Sequence, residues 1–155
     1  MKTLFKIVGS ILPIAVITMS GCATLRGEKG GEDIAATGPT VINVRTNPGT
    51  IELDRSFRPM KGAEVLADVK DFTAKVTDVR LRFQHAPLEI PMQHVGGTTW
   101  RAQLTPEQLK LLAVSGQTIS YDATIIARDE NGKVAMSKDP VKVAVKAPEL
   151  AQPVG

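Results

Sequence analysis

The residues that could do chemistry in this chain are few and are spread along it. There is one cysteine, Cys22, and two histidines, His85 and His94. The acidic residues are scattered over presumed solvent faces. The sequence has no nucleophile elbow, zinc-protease helix, phosphate-binding loop or glycine-rich dinucleotide turn. We therefore expect no catalytic residues and predict that the protein is not an enzyme.

Two groups of residues merit consideration as metal ligands. The run Asp129-Glu130-Asn131-Gly132 offers oxygen atoms, but a calcium site needs six or more oxygens from several segments. Asn-Gly is instead typical of a hairpin turn, because it supplies positive φ angles. His85 and His94 flank a possible hairpin and could approach each other, yet two ligands do not complete a structural zinc site. We expect a turn, two exposed loop-end histidines and no bound metal.

The N-terminus has the pattern of an export signal. Lys2 and Lys6 precede an almost wholly apolar run, Ile7–Met19, and small residues follow at 20–21. A positive start, a short apolar run and small residues are typical of a cleaved signal peptide. The run has 13 residues, whereas a helix that crosses about 30 Å of hydrocarbon needs about 20. We predict that residues 1–21 are removed.

Removal of the signal changes the net charge. The full chain has 19 basic and 16 acidic residues, and residues 1–21 contain two lysines and no acids. The mature chain then has 17 basic and 16 acidic residues, a net charge of +1. Nucleic-acid-binding proteins carry clustered positive charge. We therefore expect no nucleic-acid partner.

The residues around the only cysteine resemble a known processing motif. Met19-Ser20-Gly21-Cys22 resembles the lipobox of bacterial lipoproteins, usually Leu-(Ala/Ser)-(Gly/Ala)-Cys, with Met in place of Leu. The resemblance implies cleavage before Cys22 and covalent diacylglycerol and N-acyl lipid on that residue, with no other cofactor. Two or more acyl chains give lasting anchorage, so the membrane is an expected partner. Ala23, not Asp, follows the cysteine, which implies the outer membrane in an enteric-type Gram-negative cell, facing the periplasm or the cell surface.

Composition divides the mature chain into a tether, a domain and a tail. Residues 22–40 are rich in Gly, Thr and charged residues and have no apolar period, which predicts a flexible tether. Such a coil would span roughly 20–25 Å. Residues 147–155 contain two prolines and no periodicity, which predicts a disordered tail. Residues 41–146 are expected to form one domain.

The sequence of this domain predicts short strands in which apolar and polar residues alternate, a pattern typical of an antiparallel β-sandwich. The clearest run is 76–85, in which Val79, Leu81 and Phe83 face one way and two arginines the other. The predicted segments are 41–46, 50–55, 63–72, 76–85, 88–92, 98–104, 117–129 and 133–146, the last broken near Asp139-Pro140.

One helical turn interrupts the strands. Thr105-Pro106-Glu107-Gln108 has a capping residue, a proline at the first helical position and a glutamine three after the cap. This is a capping-box pattern. We predict a short helix near Pro106–Ala113.

Two stretches resemble the last hairpin of bacterial immunoglobulin-like domains. Gly116–Ala123 places Tyr121 early in the penultimate strand, and Ala127–Lys133 contains Ala-x-Asp-x-x-Gly. The resemblance implies an immunoglobulin-like sandwich of about seven strands over residues 41–146. It also implies that Tyr121 hydrogen-bonds back to the preceding loop. This fold carries many unrelated functions.

Five aromatic residues remain in the mature chain: Phe57, Phe72, Phe83, Trp100 and Tyr121. Four lie on strand segments, mostly on apolar faces, so we expect them to pack in the core. Phe57 lies in a loop with Arg58 and Met60. That loop could be a contact patch, or it could fold over the end of the sandwich.

Two functional hypotheses follow. The first is a non-enzymatic envelope module that binds or positions another envelope protein through an unpaired edge strand. The strand with Pro91 and the strand broken at Pro140 are the candidate edges. The alternative is a small-ligand or glycan-binding domain. A pocket lined by Trp100 would favour the ligand, and a buried Trp100 would favour the interaction module.

Overall fold

The computed structural model describes residues 38–150, which form ten strands and one short helix. The elements are β1 (Thr40–Asn47), β2 (Thr50–Glu52), β3 (Glu64–Lys70), β4 (Val76–Phe83), β5 (Glu89–Pro91), β6 (Gln93–Gly96), β7 (Thr99–Gln103), α1 (Pro106–Leu112), β8 (Thr118–Asp129), β9 (Val134–Met136) and β10 (Val141–Lys146). The predicted signal peptide, the lipidation site Cys22 and most of the predicted tether lie outside the described residues.

The strands form two sheets that pack as a β-sandwich, so the predicted all-β sandwich is confirmed. The first sheet has the order β1-β3-β7-β6, and the second has β2-β10-β8-β4-β5 with β9 also paired to β8. If β1 and β2 are two parts of the first strand and β9 and β10 two parts of the last, this is the immunoglobulin-like arrangement. The strands β1, β3, β7 and β6 then correspond to A, B, E and D of one sheet, and β4, β8 and the pair β9–β10 correspond to C, F and G of the other.

Counting β1 with β2 and β9 with β10 as single strands gives eight strands, close to the predicted number of about seven. The last strand divides into β9 and β10, and β6 was not predicted because all four of its residues are exposed and its sequence does not alternate. The fold is also not purely antiparallel, because β2 runs parallel to β10. The chain crosses from one sheet to the other at Asn47–Gly49, between β1 and β2. The Asn47–Pro48 peptide is cis.

Alternation places one apolar face of each sheet in a single core. In β4, Val79, Leu81 and Phe83 are buried while Arg80 and Arg82 are exposed, as predicted. The neighbouring strands β3 and β8 follow the same rule. Their buried residues are Val65, Ala67, Val69, Ala123, Ile125 and Ala127.

The predicted helix and its cap are confirmed. The Thr105 hydroxyl accepts a hydrogen bond from the Gln108 amide at 3.3 Å, and the Gln108 side chain accepts one from the Thr105 amide at 2.9 Å. Leu109 and Leu112 of α1 are fully buried. The helix therefore closes one end of the sandwich with two leucines.

Tyr121 makes the hydrogen bond that the immunoglobulin resemblance implies. Its hydroxyl donates to the carbonyl oxygen of Leu112 at 2.8 Å. Its ring meets Phe83 edge to face, with centroids 6.2 Å apart. The tyrosine thus joins β8 to the end of the helix.

The predicted loose tail starts later than Ala147. The Ala147 amide donates to the carbonyl of Gln117 at 3.0 Å, and the Leu150 amide donates to the Ser115 hydroxyl at 3.1 Å. These bonds hold residues 147–150 against the segment after the helix. The prediction that these four residues belong to a disordered tail is therefore corrected. Residues 151–155 lie outside the described part of the chain.

The edges of the second sheet differ in part from the prediction. Pro91 lies in β5, at the edge of that sheet, as predicted. The strand after Pro140, β10, is not an edge, because it lies between β2 and β8. The segment before that break, β9, has only β8 as a partner strand within residues 38–150.

Candidate functional site

A groove of about 790 Å³ opens at the end of the sandwich where β3 finishes and β4 begins. The loop between those strands, residues 71–75, forms one wall, and the turn between β6 and β7 forms another. The apolar residues and the histidine that line it are Val69, Phe72, Ala74, Val76, His94 and Trp100. Backbone and polar side chains from Lys70, Asp71, Lys75, Thr77, Gly97 and Thr98 complete the lining.

Two aromatic side chains face solvent at this groove. Phe72 is 82% exposed. Trp100 is partly buried, with one part packed on the core. The expectation that both are core residues is therefore wrong for Phe72 and only partly right for Trp100. A groove lined by Trp100 is the observation that favours the ligand-binding hypothesis.

The turn between β6 and β7 sets the position of His94 beside Trp100. The two residues are register partners, and the pairing shifts between His94 and Gly96. Gly96 and Gly97 have φ angles of 142° and 56°, which side-chain-bearing residues rarely adopt. The His94 and Trp100 ring centroids lie 5.2 Å apart at an interplanar angle of 54°. The imidazole thus extends the aromatic surface of the groove.

The His94 ring has a fixed hydrogen-bonding role. Its Nε2 atom lies 2.9 Å from the carbonyl oxygen of Gly97. Because a carbonyl only accepts, Nε2 carries the proton and donates. This bond fixes the imidazole as part of the groove wall.

Asp71 turns the chain so that Phe72 points outward. One carboxylate oxygen, Oδ1, accepts hydrogen bonds from the Thr73 amide at 2.8 Å, the Thr73 hydroxyl at 2.9 Å and the Ala74 amide at 3.0 Å. The Thr73 amide leads the donors that hold the pKa of Asp71 below its usual value. These bonds end the strand at Lys70 and leave Phe72 at the tip of a structured loop.

The same loop is bonded to the turn between β8 and β9. The Lys75 amide donates to Oε1 of Glu130 at 3.0 Å, and the Glu130 amide donates to the Lys75 carbonyl at 2.9 Å. The wall that carries Phe72 is thereby fixed to the neighbouring turn.

Asp129–Gly132 forms the hairpin turn that the sequence predicts. The Lys133 amide donates to Oδ1 of Asp129 at 2.8 Å, and the Gly132 amide donates to the Asp129 carbonyl at 3.1 Å. Gly132 has a φ of 80°, while Asn131 does not have a positive φ, so only half of the expected Asn-Gly geometry is present. Between residues 38 and 150, no three His, Cys, Asp or Glu side chains are arranged to hold a metal ion.

One histidine lies in a loop of the second sheet and the other in a strand of the first. His85 follows β4 in the loop that leads to β5, while His94 belongs to β6 of the first sheet. Both are exposed. Of the two, only His94 lines the groove.

The segment with Phe57, Arg58 and Met60 lies near the helix. Asp54 Oδ1 accepts from the Arg58 amide at 2.9 Å, which closes the loop. Phe57 is partly buried against the core, with Lys110 Nζ 5.8 Å from its ring centroid. Arg58 is exposed, and Met60 is 66% exposed. Phe57 therefore covers the end of the sandwich, and a contact role for Arg58 and Met60 stays a prediction.

A charged surface lies on the outer face of the second sheet. Arg80 contacts Asp78 at 2.8 Å and Glu89 at 3.0 Å, and Arg82 contacts Glu89 at 2.8 Å. Arg82 first, and Arg80 second, lower the pKa of Glu89. The charges in these exposed ion pairs neutralise one another. This surface is therefore a weaker candidate for a recognition site than the aromatic groove.

The chain matches no known family model and shows no significant similarity to the curated proteins searched. The only helix found within residues 38–150, α1, has 7 residues, and no helix there is long and apolar enough to cross a membrane. The geometry of the groove is therefore the guide to its role. Two rings, an imidazole and flanking polar groups suit the binding of a ligand with both apolar faces and hydroxyl or amide groups.

Proposed function

We propose that the protein is a lipid-anchored module of a bacterial cell envelope and that it binds a small ligand or glycan in the groove of Phe72 and Trp100, without catalysing a reaction. The sequence Met19–Cys22 and the signal before it support the anchor. The groove supports the binding function because Trp100 lines it, and a pocket lined by Trp100 is the feature expected of a ligand-binding domain.

The exposed aromatic pair is the observation that carries the binding function. Phe72 is 82% exposed, so its ring makes little apolar contact with the protein core. A sugar ring has apolar C–H faces that pack on aromatic rings, and its hydroxyls can pair with groups such as Thr98 and Lys75 at the groove. An envelope glycan therefore fits the chemistry of the lining.

Trp100 is the only tryptophan, so its fluorescence reports on the groove directly. The experiment titrates the mature Cys22→Ala chain with N-acetylglucosamine oligomers and also tests co-sedimentation with purified peptidoglycan. We expect a saturable change in emission and protection from iodide quenching. Unchanged emission together with no co-sedimentation would show that the groove does not bind this class of glycan.

A matched pair of variants separates binding from stability. Phe72→Ser should weaken glycan binding about tenfold, the equivalent of about 1.4 kcal/mol, with little change in melting temperature. Leu111→Ser is the control, because Leu111 is also exposed, at 72%, but lies on α1. Equal weakening by both substitutions would contradict the assignment of the site.

A second candidate function is the binding of another envelope protein along β9. Val134 and Met136 of this strand are 52% and 64% exposed, and β8 is its only described partner. A strand edge with exposed apolar residues can accept a strand from another protein. Val134→Lys should abolish crosslinks formed in intact cells if this edge is used. Crosslinks that persist in this variant would exclude β9 as the interface.

A further inference from the structure

The groove lies at the end of the sandwich where the described chain begins. Thr40, the first residue of β1, pairs with Lys70, the last residue of β3, next to the loop that carries Phe72. Gly38 packs against the turn before β9, since a Cβ on it would lie 3.5 Å from the Lys133 side chain. The segment that precedes residue 38 therefore joins the domain at the groove end.

The proposed anchor would hold this end of the domain near the membrane. Cys22 precedes Gly38 by 16 positions. A chain of that length covers at most about 55 Å when it is fully extended and roughly 20–25 Å as a coil. A ligand that the membrane itself carries on its surface is therefore within reach of the groove.

The groove end presents lysine side chains that are available to an anionic ligand. Lys70 and Lys75 line the groove, and Lys133 lies beside Gly38 at the same end. All three lysines are exposed. Within residues 38–150, the ion pairs involve none of them. Their ammonium groups can therefore form charge-assisted hydrogen bonds with a phosphate or carboxylate of a ligand.

The carboxylates at this end are mostly withdrawn from the groove surface. Oδ1 of Asp71 accepts three hydrogen bonds from its own loop, and its Oδ2 is buried. Asp129 is 2% exposed. Glu130 is exposed, and its Oε1 accepts a hydrogen bond from the Lys75 amide. The charge that the walls offer to a ligand is therefore mainly positive.

The shape of the groove favours a headgroup over a plain lipid surface. Its volume of about 790 Å³ lies within the range of about 300–1,000 Å³ that is typical of small-ligand sites. A flat lipid surface could contact the tip of the loop at Phe72 and the lysines, but it would leave the concave part beside Trp100 empty. A sugar ring that projects from the membrane fills that space.

We propose that the groove binds an anionic sugar headgroup, such as a phosphorylated glucosamine, carried by a glycolipid of the membrane to which the chain is anchored. This assignment rests on the proposed anchor and glycan groove, and it names the ligand of that groove. The sugar ring packs on Trp100, and its phosphate pairs with Lys70 and Lys75. Phe72, at the loop tip, contacts the boundary between headgroups and acyl chains, where aromatic residues are favoured.

Vesicles of three compositions test the ligand. The mature Cys22→Ala chain is used, so that binding does not depend on lipid at that residue. Phosphatidylcholine vesicles contain lipid A, which is a phosphorylated glucosamine glycolipid, or the neutral digalactosyl diacylglycerol, or phosphatidylglycerol at the same negative charge as the lipid A. Co-sedimentation and quenching of Trp100 by brominated phosphatidylcholine are measured. We expect binding to lipid A vesicles to be about tenfold or more tighter than to either of the others.

A pair of double variants tests the two groove lysines. Lys70→Gln combined with Lys75→Gln should weaken binding to lipid A vesicles about tenfold or more. The backbone bonds between Lys75 and Glu130 do not involve the substituted side chain. Lys61→Gln combined with Lys138→Gln is the matched control, because both lysines are exposed, lie outside the groove lining and give the same change in charge. This control should bind like the parent chain.

Four results would overturn the proposal. Equal binding to phosphatidylglycerol vesicles would mean that the sugar is not recognised, and equal binding to the neutral glycolipid would mean that the charge is not. Equal effects of the two double variants would place the binding site elsewhere. Inorganic phosphate or glucosamine phosphate that binds as tightly as lipid A vesicles would indicate a soluble ligand.

The glycan proposal fails with a different result. Neutral N-acetylglucosamine oligomers would then leave the emission of Trp100 unchanged. Binding to lipid A vesicles without binding to these oligomers would support the anionic headgroup and contradict only the neutral glycan. Binding to the oligomers with no preference for lipid A vesicles would overturn the headgroup and leave the glycan groove in place.

Discussion

Phe57 lies in a loop whose closure depends on one carboxylate. Asp54 accepts from the amides of Ser56 and Arg58, and Phe57 adopts a φ of 60° between them. This conformation turns the ring toward the core, beneath Lys110. Local polar bonds thus decide which of two neighbouring apolar side chains, Phe57 or Met60, is covered.

Replacement of Phe57 should therefore cost stability. Phe57→Ser removes a partly buried ring, and we expect the free energy of unfolding to fall by about 1–2 kcal/mol. Met60→Ser is the control, because Met60 is 66% exposed and its loss should change stability by less than about 0.5 kcal/mol. Urea denaturation measures both. Equal, negligible effects would show that Phe57 is free for contact with a partner.

Asp68 links three strands of the first sheet and gives the fold an acid-sensitive point. Its carboxylate accepts from the Asn43 side chain at 2.9 Å and the Thr99 hydroxyl at 2.7 Å. The Asn43 bond first, and the Thr99 bond second, lower the pKa of Asp68 below its usual value. Because the pKa is lowered in the folded state, this stabilisation is present above the usual Asp range and is lost as pH falls through the folded value.

Asp68→Asn should remove this acid sensitivity. Between about pH 6 and about pH 3, the melting temperature of wild type should fall more steeply than that of the variant. Thermal unfolding at a series of pH values is the measurement, with Asp139→Asn expected to follow the wild-type curve. Parallel curves for wild type and Asp68→Asn would mean that the carboxylate contributes nothing through its charge.

Residues were predicted correctly where neighbouring sequence sets their contacts, and incorrectly where residues distant in sequence set them. Tyr121 was placed correctly because a sequence motif defines its partner loop. Phe72 was misplaced because the predicted strand was extended through residue 72, whereas Asp71 ends the strand at Lys70 through its own bonds. The hydrogen bonds between Lys75 and Glu130 follow from sheet pairing over 55 positions of sequence, and no local pattern signals them.

At the scale of elements, regular alternation and capping were informative. The strands β4 and β8 and the helix were predicted from periodicity and from the Thr105-Pro106 start. The break of the last strand near Asp139-Pro140 was predicted as well. The short exposed strand β6 was not, because an edge strand with two wet faces has no apolar period. The strand β6, which leads into the turn at the groove, is thus the element that the sequence did not predict.

The helix offers a direct test at this scale. Thr105→Ala removes the hydroxyl that accepts from the Gln108 amide, and we expect a loss of about 1 kcal/mol in the free energy of unfolding. Thr105→Ser keeps an accepting hydroxyl and should restore most of it. Chemical denaturation compares the two. Identical stability of Thr105→Ala and wild type would mean that the cap hydroxyl does not contribute to the stability of the helix.

At the scale of the whole molecule, the start of the described chain lies at the groove end. Gly38 packs against Lys133, since a Cβ on Gly38 would lie 3.5 Å from that side chain. Thr40 pairs with Lys70, next to the loop of Phe72. An anchor on Cys22, 16 positions before Gly38, would therefore attach the sandwich through the end that carries the groove.

The anchor itself is tested by Cys22→Ala. The substitution removes the thiol that would carry diacylglycerol, and without two or more acyl chains the protein should lose lasting membrane attachment. We expect wild type to pellet with membranes and the variant to remain in the soluble envelope fraction, as followed by immunoblotting. Thr24→Ala leaves the lipobox intact and should pellet like wild type. If Cys22→Ala still pellets after washing with salt, attachment does not depend on lipid at this cysteine, which would contradict the proposed anchor.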